Sequence, residues 1–241
     1  MASTLKTNAI EPEGATTNLV IGESGQNTVI SNNDLRANVL QDAGGNALFT
    51  SDGSGNLSGI NSGLGSAMVL LSTQTASSSA SLSFTSGITS TYGEYIFKFY
   101  NINPATNNAQ FRFQANAVGE SGYNETITST NIEAYQAEAG GGNFGYNQGQ
   151  HQSQGTAFQP LVESISNGAD ESLIGELHLF NPSSTTYVKH FIAKVNSYFA
   201  SSYTKNEYTA GYFNITAAID DIQFKMSTGN FDGVIKMWGV K

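Results

Sequence analysis

Residues 95–102, Tyr-Ile-Phe-Lys-Phe-Tyr-Asn-Ile, put Tyr95, Phe97, Phe99 and Asn101 on one side of an extended chain and Ile96, Lys98, Tyr100 and Ile102 on the other. A period of two marks a half-buried β-strand, because successive side chains of a strand point to opposite faces. The same alternation runs through residues 111–116 and through 81–85, where Leu82 and Phe84 share the inward face. Further strands are expected over 175–180, 188–198, 210–213, 222–227 and 233–240, the last carrying the single Trp. Helical periodicity is absent, and residues 135–138 could form one turn of helix at most. Strands of this length separated by turn signals predict an all-β chain whose residues 67–241 form an antiparallel sandwich of jelly-roll type.

Residues 1–66 read differently. Candidate strands at 4–10, 18–21, 28–30, 35–40 and 47–50 carry two or three apolar residues each, between turn formers such as Gly44-Gly45-Asn46 and Asp52-Gly53-Ser54-Gly55. Burial returns ~25 cal/mol per Å², against ~1–2 kcal/mol of backbone entropy for each ordered residue. Strands so short need partners, and identical chains about an axis supply them economically. The expectation is an extended β stalk or docking segment over 1–66, shared between copies. The small-residue stretch from Ile60 to Ala67 acts as the hinge to the sandwich domain.

Composition narrows the function classes. Charged residues are 12% of the chain, the formal net charge is −9, and the only arginines are Arg36 and Arg112. Nucleic-acid binding needs clustered cations, so no such partner is expected. With no cysteine, disulfides, thiolate metal sites and thiol nucleophiles are all excluded. Residues 2–10 show neither the basic start nor the apolar core of a signal peptide, and no run approaches the ~20 apolar residues of a membrane helix. A polar, weakly charged, β-rich surface without an export signal suits a particle component assembled in a cytoplasm.

Chemistry finds little purchase. His178 and His190 each sit on the strand face opposite apolar neighbours, as solvent-facing histidines do, and His151 lies in a Gln-rich stretch. No His-x-His or His-Glu-x-x-His spacing occurs, Gly-x-Ser-x-Gly is absent, and the Gly140-Gly-Gly-Asn-Phe-Gly stretch lacks the lysine and helix of a phosphate loop. The expectation is a non-enzymatic chain with no cofactor and no metal. Binding fits better. Residues 138–159 read as a long loop in which Asn143, Phe144, Tyr146, Gln148 and His151 combine amide hydrogen-bonders with aromatic faces, and Tyr123-Asn124 is a shorter candidate of the same kind. Amides match sugar hydroxyls and aromatic faces stack on the apolar face of a sugar. The same residues could equally hold a neighbouring subunit.

The opening Ser3-Thr-Leu-Lys-Thr-Asn-Ala-Ile10 resembles the start of many tailed-phage fibre and fibre-like virion proteins. Leu35-Arg-Ala-Asn-Val-Leu-Gln-Asp-Ala-Gly-Gly-Asn-Ala-Leu-Phe49 and Asp52-Gly-Ser-Gly-Asn-Leu57 are similar to stalk phrases of marine phage proteins. The blocks at 84–105 and 233–240 resemble a β-rich distal domain carried by such proteins. The resemblance implies a structural virion protein at the surface of a phage particle, commonly a homotrimer, attached by its N-terminal part with its C-terminal domain outward. Other virion proteins, of tail or capsid, and host-cell glycan are then the expected partners. The alternative it leaves open is a capsid decoration or head-fibre protein that stabilises the shell.

Overall fold

The computed structural model describes residues 39–60 other than 43, 55 and 59, and residues 67–241 other than 200 and 201. The strands expected at 4–10, 18–21 and 28–30, most of that at 35–40, and most of the hinge lie outside the described residues. The chain divides into two units, Met1–Leu64 and Gly65–Lys241, where the sequence suggested a boundary between 66 and 67.

The described part of the first unit is a three-stranded antiparallel meander of β1 (Val39–Gln41), β2 (Ala47–Ser51) and β3 (Leu57–Ser58). Its two turns use one device ten residues apart. Asp42 Oδ1 accepts from Gly44 N at 2.8 Å and Asn46 N at 2.9 Å, and Asp52 Oδ1 accepts from Ser54 N at 2.7 Å and Asn56 N at 3.2 Å. In each turn the Asn also donates its side-chain amide back to the Asp, which holds both carboxyls below the usual carboxylate range. Between Val39 and Leu57 no described side chain is buried.

The described residues of the second unit form twelve strands: β4 (Met68–Ser79), β5 (Ser81–Phe84), β6 (Glu94–Pro104), β7 (Phe111–Ala117), β8 (Ile127–Ala137), β9 (Gly142–Tyr146), β10 (Gln159–Pro160), β11 (Leu173–Phe180), β12 (Lys189–Phe199), β13 (Tyr203–Phe213), β14 (Ile219–Met226) and β15 (Phe231–Val240). Every pairing is antiparallel. One sheet has the order β4-β15-β6-β11-β12-β13-β8-β9 and the other β10-β7-β14-β5. With the hairpins β8–β9 and β12–β13 set aside, the remaining eight strands, counted along the chain, run 1-8-3-6 in one sheet and 2-7-4-5 in the other. That is the strand order of a jelly roll. The two hairpins widen one sheet to twice the width of its partner.

Where the sheets face each other the core is aromatic. Phe224 on β14 lies 5.3–6.3 Å, centroid to centroid, from Phe84, Phe97, Phe99, Phe111 and Phe113, in mostly edge-on and tilted contacts. Such geometry adds to simple burial, because ring edges meet ring faces. On β6 the expected alternation holds through Tyr100 and then slips. Asn101 takes φ +49°, the register against β15 and β11 shifts nearby, and Ile102 rather than Asn101 is buried. The bulge bends the strand and re-aims its outward side chains.

Beyond β12, whose Phe191, Ala193 and Val195 join the core, the inner face of the wide sheet turns polar. Ser129, Asn131 and Glu133 of β8 and Lys205, Glu207 and Thr209 of β13 point inward beneath the segment between β9 and β11. Buried amides pin that segment: Ser129 Oγ donates to Gln159 Oε1 at 2.6 Å, and Gln159 Nε2 donates to Gln150 O at 2.7 Å. Residues 138–159 are therefore not one long loop. Gly142–Tyr146 adds β9 to the open edge of β8, and Gly-rich edge strands carry little alternation to signal them.

Candidate functional site

The outward face of the eight-stranded sheet follows from register alone. Across β15, β6, β11, β12, β13, β8 and β9, one row of directly opposed residues reads Lys236, Lys98, Glu176, Lys194, Tyr208, Ile132 and Tyr146. The adjacent row reads Ile174, Asn196, Asn206, Ala134 and Phe144 from β11 to β9. Between these rows and the β6 bulge lies a groove of about 440 Å³, walled by Lys98, Tyr100, Ile174, Glu176, Lys194, Asn196 and Asn206.

Gly175 lines it as well. A Cβ there would stand 2.4 Å from Lys194 O and 2.8 Å from Val195 Cα, so β11 and β12 approach more closely than any side chain at this position would allow. Asn196 is fixed by donating Nδ2 to Thr204 Oγ1 at 2.9 Å and to Asn206 Oδ1 at 3.1 Å. That leaves Asn196 Oδ1 and Asn206 Nδ2 as the amide atoms available to a ligand. Tyr100 and Tyr208 are partly exposed, with Lys236 Nζ 5.3 Å and Lys194 Nζ 5.8 Å from their ring centres. Glu176 reaches Lys98 Nζ at 3.9 Å and His178 Nε2 at 3.4 Å, while His178 Nδ1 meets Glu94 at 2.5 Å. Aromatic rings, free amide atoms and mobile charges can stack on, hydrogen-bond to and select a polar ligand.

The sequence candidates divide. Phe144 and Tyr146, 68% and 51% exposed, stand on this outward face at its β9 edge, and His151 stacks on Tyr146 at 5.7 Å. Asn143 alternates with them and Gln148 is exposed in the following turn. Tyr123 belongs elsewhere. Its ring contacts Phe158, which lies under Lys225 Nζ at 4.0 Å, on the outward side of the four-stranded sheet. Most amides of 147–159 bind their own chain: Gln152 Nε2 donates to Ala157 O at 2.8 Å and Gln154 Nε2 to Thr128 Oγ1 at 2.6 Å. His178 and His190 lie at outward strand positions. The groove residues Lys98, Tyr100, Lys194, Asn196 and Asn206 were not marked by the sequence; two lysines at outward positions of alternating strands were the available signal.

No family model, curated protein or solved structure matches this chain.

A second set of titratable groups joins β8, β13 and the segment between β9 and β11. Lys205 Nζ meets Glu133 at 2.7 Å and also pairs with Glu163, while Glu163 N donates to both oxygens of Glu207 at 2.9 and 3.0 Å. Burial pushes the Glu207 carboxyl up to about 7, against the pull of the Glu163 backbone bond and the Lys205 charge. Burial pushes Lys205 down, but its bonds to Glu133 and Glu163 outweigh that and leave it raised. These groups satisfy one another and tie the 147–172 segment to β8 and β13. Among the described residues, no cluster of His, Asp and Glu has the arrangement of a metal site.

Proposed function

We propose that this chain is a non-enzymatic structural subunit of a tailed-phage virion, a fibre or spike whose jelly-roll domain faces outward and contacts host-surface glycan. The observation that carries this reading is the groove on the wide sheet, where Tyr100, Ile174, Asn196, Asn206 and two lysines surround a space the size of a few sugar rings. Phe144 and Tyr146 extend the same face toward the sheet edge. The stalk-like phrases around Asp42 and Asp52 support the virion setting, as does a meander whose described side chains are not buried and which needs partner copies to complete it. A homotrimer, docked on the particle through its N-terminal part, fits that need.

A second reading, a capsid decoration or head-fibre protein, is favoured by another row on this face, in which Leu70, Trp238, Ile96 and Ile192 are apolar and only His178 is polar, which suits protein contact. Adsorption of the purified chain to host cells, with a glycan array alongside, separates the two. Binding to neither, together with fragile capsids when the chain is deleted, would sink the attachment reading and support the second.

A further inference from the structure

The groove gathers positive charge that the rest of the fold does not call for. The chain carries ten Lys and Arg against a net charge of −9. Lys189 is buried, donating to Tyr187 O, Ile215 O and Thr216 O, and Lys205 is buried among glutamates. Arg112 binds Gln110, and Lys225 covers Phe158. Lys236, Lys98 and Lys194 stand in one cross-strand row, with Lys236 directly opposite Lys98. Like charges opposed on a sheet destabilise it. The single carboxylate in the row, Glu176, turns to Lys98 and His178, and among the described residues no ion pair forms at Lys194 or Lys236. Lys236 and Lys194 lie over the Tyr100 and Tyr208 rings, contacts that leave their charges without a carboxylate and open to an anionic ligand.

We infer that the groove takes an anionic saccharide, its carboxylate or sulfate held between the ammonium groups of Lys98 and Lys194. This rests on the reading of the groove as a glycan-contacting surface. The two lysines lie on β6 and β12 with β11 between them, so their backbones are about 10 Å apart at ~4.8 Å per strand, a span that two long side chains can close on one anionic group beside Glu176. Tyr100 offers a ring face beside them, Asn206 Nδ2 a donor, and Asn196 Oδ1 and Glu176 acceptors for hydroxyls. Charge-assisted bonds to two ammonium groups give the anionic sugar its advantage over a neutral one.

The test titrates the purified full-length chain with an oligogalacturonate, a sulfated oligosaccharide of equal length, a neutral malto-oligosaccharide and a single-stranded DNA oligomer. At least one anionic sugar should bind ~10-fold or more tightly than the neutral one. Lys98→Gln with Lys194→Gln should remove that advantage, and Lys98→Arg with Lys194→Arg should retain it. Lys225→Gln should leave it unchanged. The two sugar arms separate carboxylate from sulfate as the preferred anion. Rising salt should weaken the anionic sugar alone, a readout that needs no variant to fold. If the neutral sugar binds as well as the anionic ones and Tyr100→Ala abolishes it, the glycan surface stands and the anion preference falls. If no saccharide binds, both fall. If the DNA oligomer binds as tightly through the same lysines, the saccharide assignment is overturned.

Discussion

Lys194 stands directly across the β11–β12 ladder from Glu176, yet no ion pair joins them; the Glu176 carboxylate lies 3.9 Å from Lys98 Nζ and 3.4 Å from His178 Nε2. Opposed charges at such positions ordinarily pair. Here the cation is left facing the groove and the anion sits at its rim.

Glu176→Gln should therefore strengthen the groove for an anion while hardly touching stability. Half-exposed pairs of this kind contribute about 0.2–1 kcal/mol, so melting should shift by no more than a few degrees. Removing the negative charge beside both lysines should tighten binding of an anionic oligosaccharide about threefold or more. A calorimetric titration in which the variant binds more weakly than the parent would show that Glu176 serves the ligand as an acceptor more than it repels it.

Stability should fall as pH rises from about 4.5 to about 7. The Glu207 carboxyl is pushed up to about 7 by burial, whereas in the unfolded chain it titrates near 4.5. Below 4.5 both states hold the proton. Between 4.5 and 7 the unfolded chain has released it and the folded chain has not, so each step upward in pH favours unfolding, by on the order of 2–3 kcal/mol in all. Glu207→Gln keeps an oxygen to accept from Glu163 N and removes the titration. Denaturant curves at pH 5 and pH 8 should differ for the parent and nearly coincide for the variant, which at pH 8 should melt about 5 °C higher. A parent chain more stable at pH 8 than at pH 5 would refute this account.

Much of the jelly roll was legible because its core strands alternate apolar and polar residues. The strands missed toward the β9 edge of the wide sheet, β8, β9 and the start of β13, have another inner face. On β8 the inward residues are Ser129, Asn131 and Glu133, and on the unrecognised start of β13 they are Lys205, Glu207 and Thr209. A strand whose buried side is polar shows no period of two. Glu163 and Gln159, which satisfy those groups, lie far away in sequence. The site was less legible still. Tyr123 resembles Phe144 and Tyr146 in composition, but strand order puts it against Phe158 on the other sheet's side. Lys98 and Lys194 are 96 residues apart and become neighbours only because β11 lies between β6 and β12.

The two units should separate cleanly by deletion. The full-length chain is expected to run as a trimer by mass measurement, and removal of residues 1–60 should leave a soluble jelly-roll domain that no longer joins particles. The aromatic core around Phe224 is built from residues of the unit Gly65–Lys241. A full-length chain that is monomeric in solution and still assembles into virions would remove the argument for a shared stalk.

Gly175 links the fold to the groove most directly. Its φ of +159° is one that L side chains rarely adopt, so a side chain there is opposed by backbone conformation as well as by space. A Cβ would meet Lys194 O at 2.4 Å and both Val195 Cα and Cγ1 at 2.8 Å, two of these three being backbone atoms that cannot rotate aside. Gly175→Ala must push β11 from β12, at about 1–3 kcal/mol, and the melting temperature should drop by several degrees. The displaced strand carries Ile174 and Glu176, so binding at the groove should weaken beyond what the stability loss explains, even where the variant is fully folded. Gly145→Ala on the edge strand β9, whose Cβ would find its nearest neighbour 4.0 Å away at Asn143 Nδ2, is the matching control and should change neither property. Equal behaviour of the two variants in melting and in oligosaccharide titration would show that the close approach of β11 and β12 does not shape the groove.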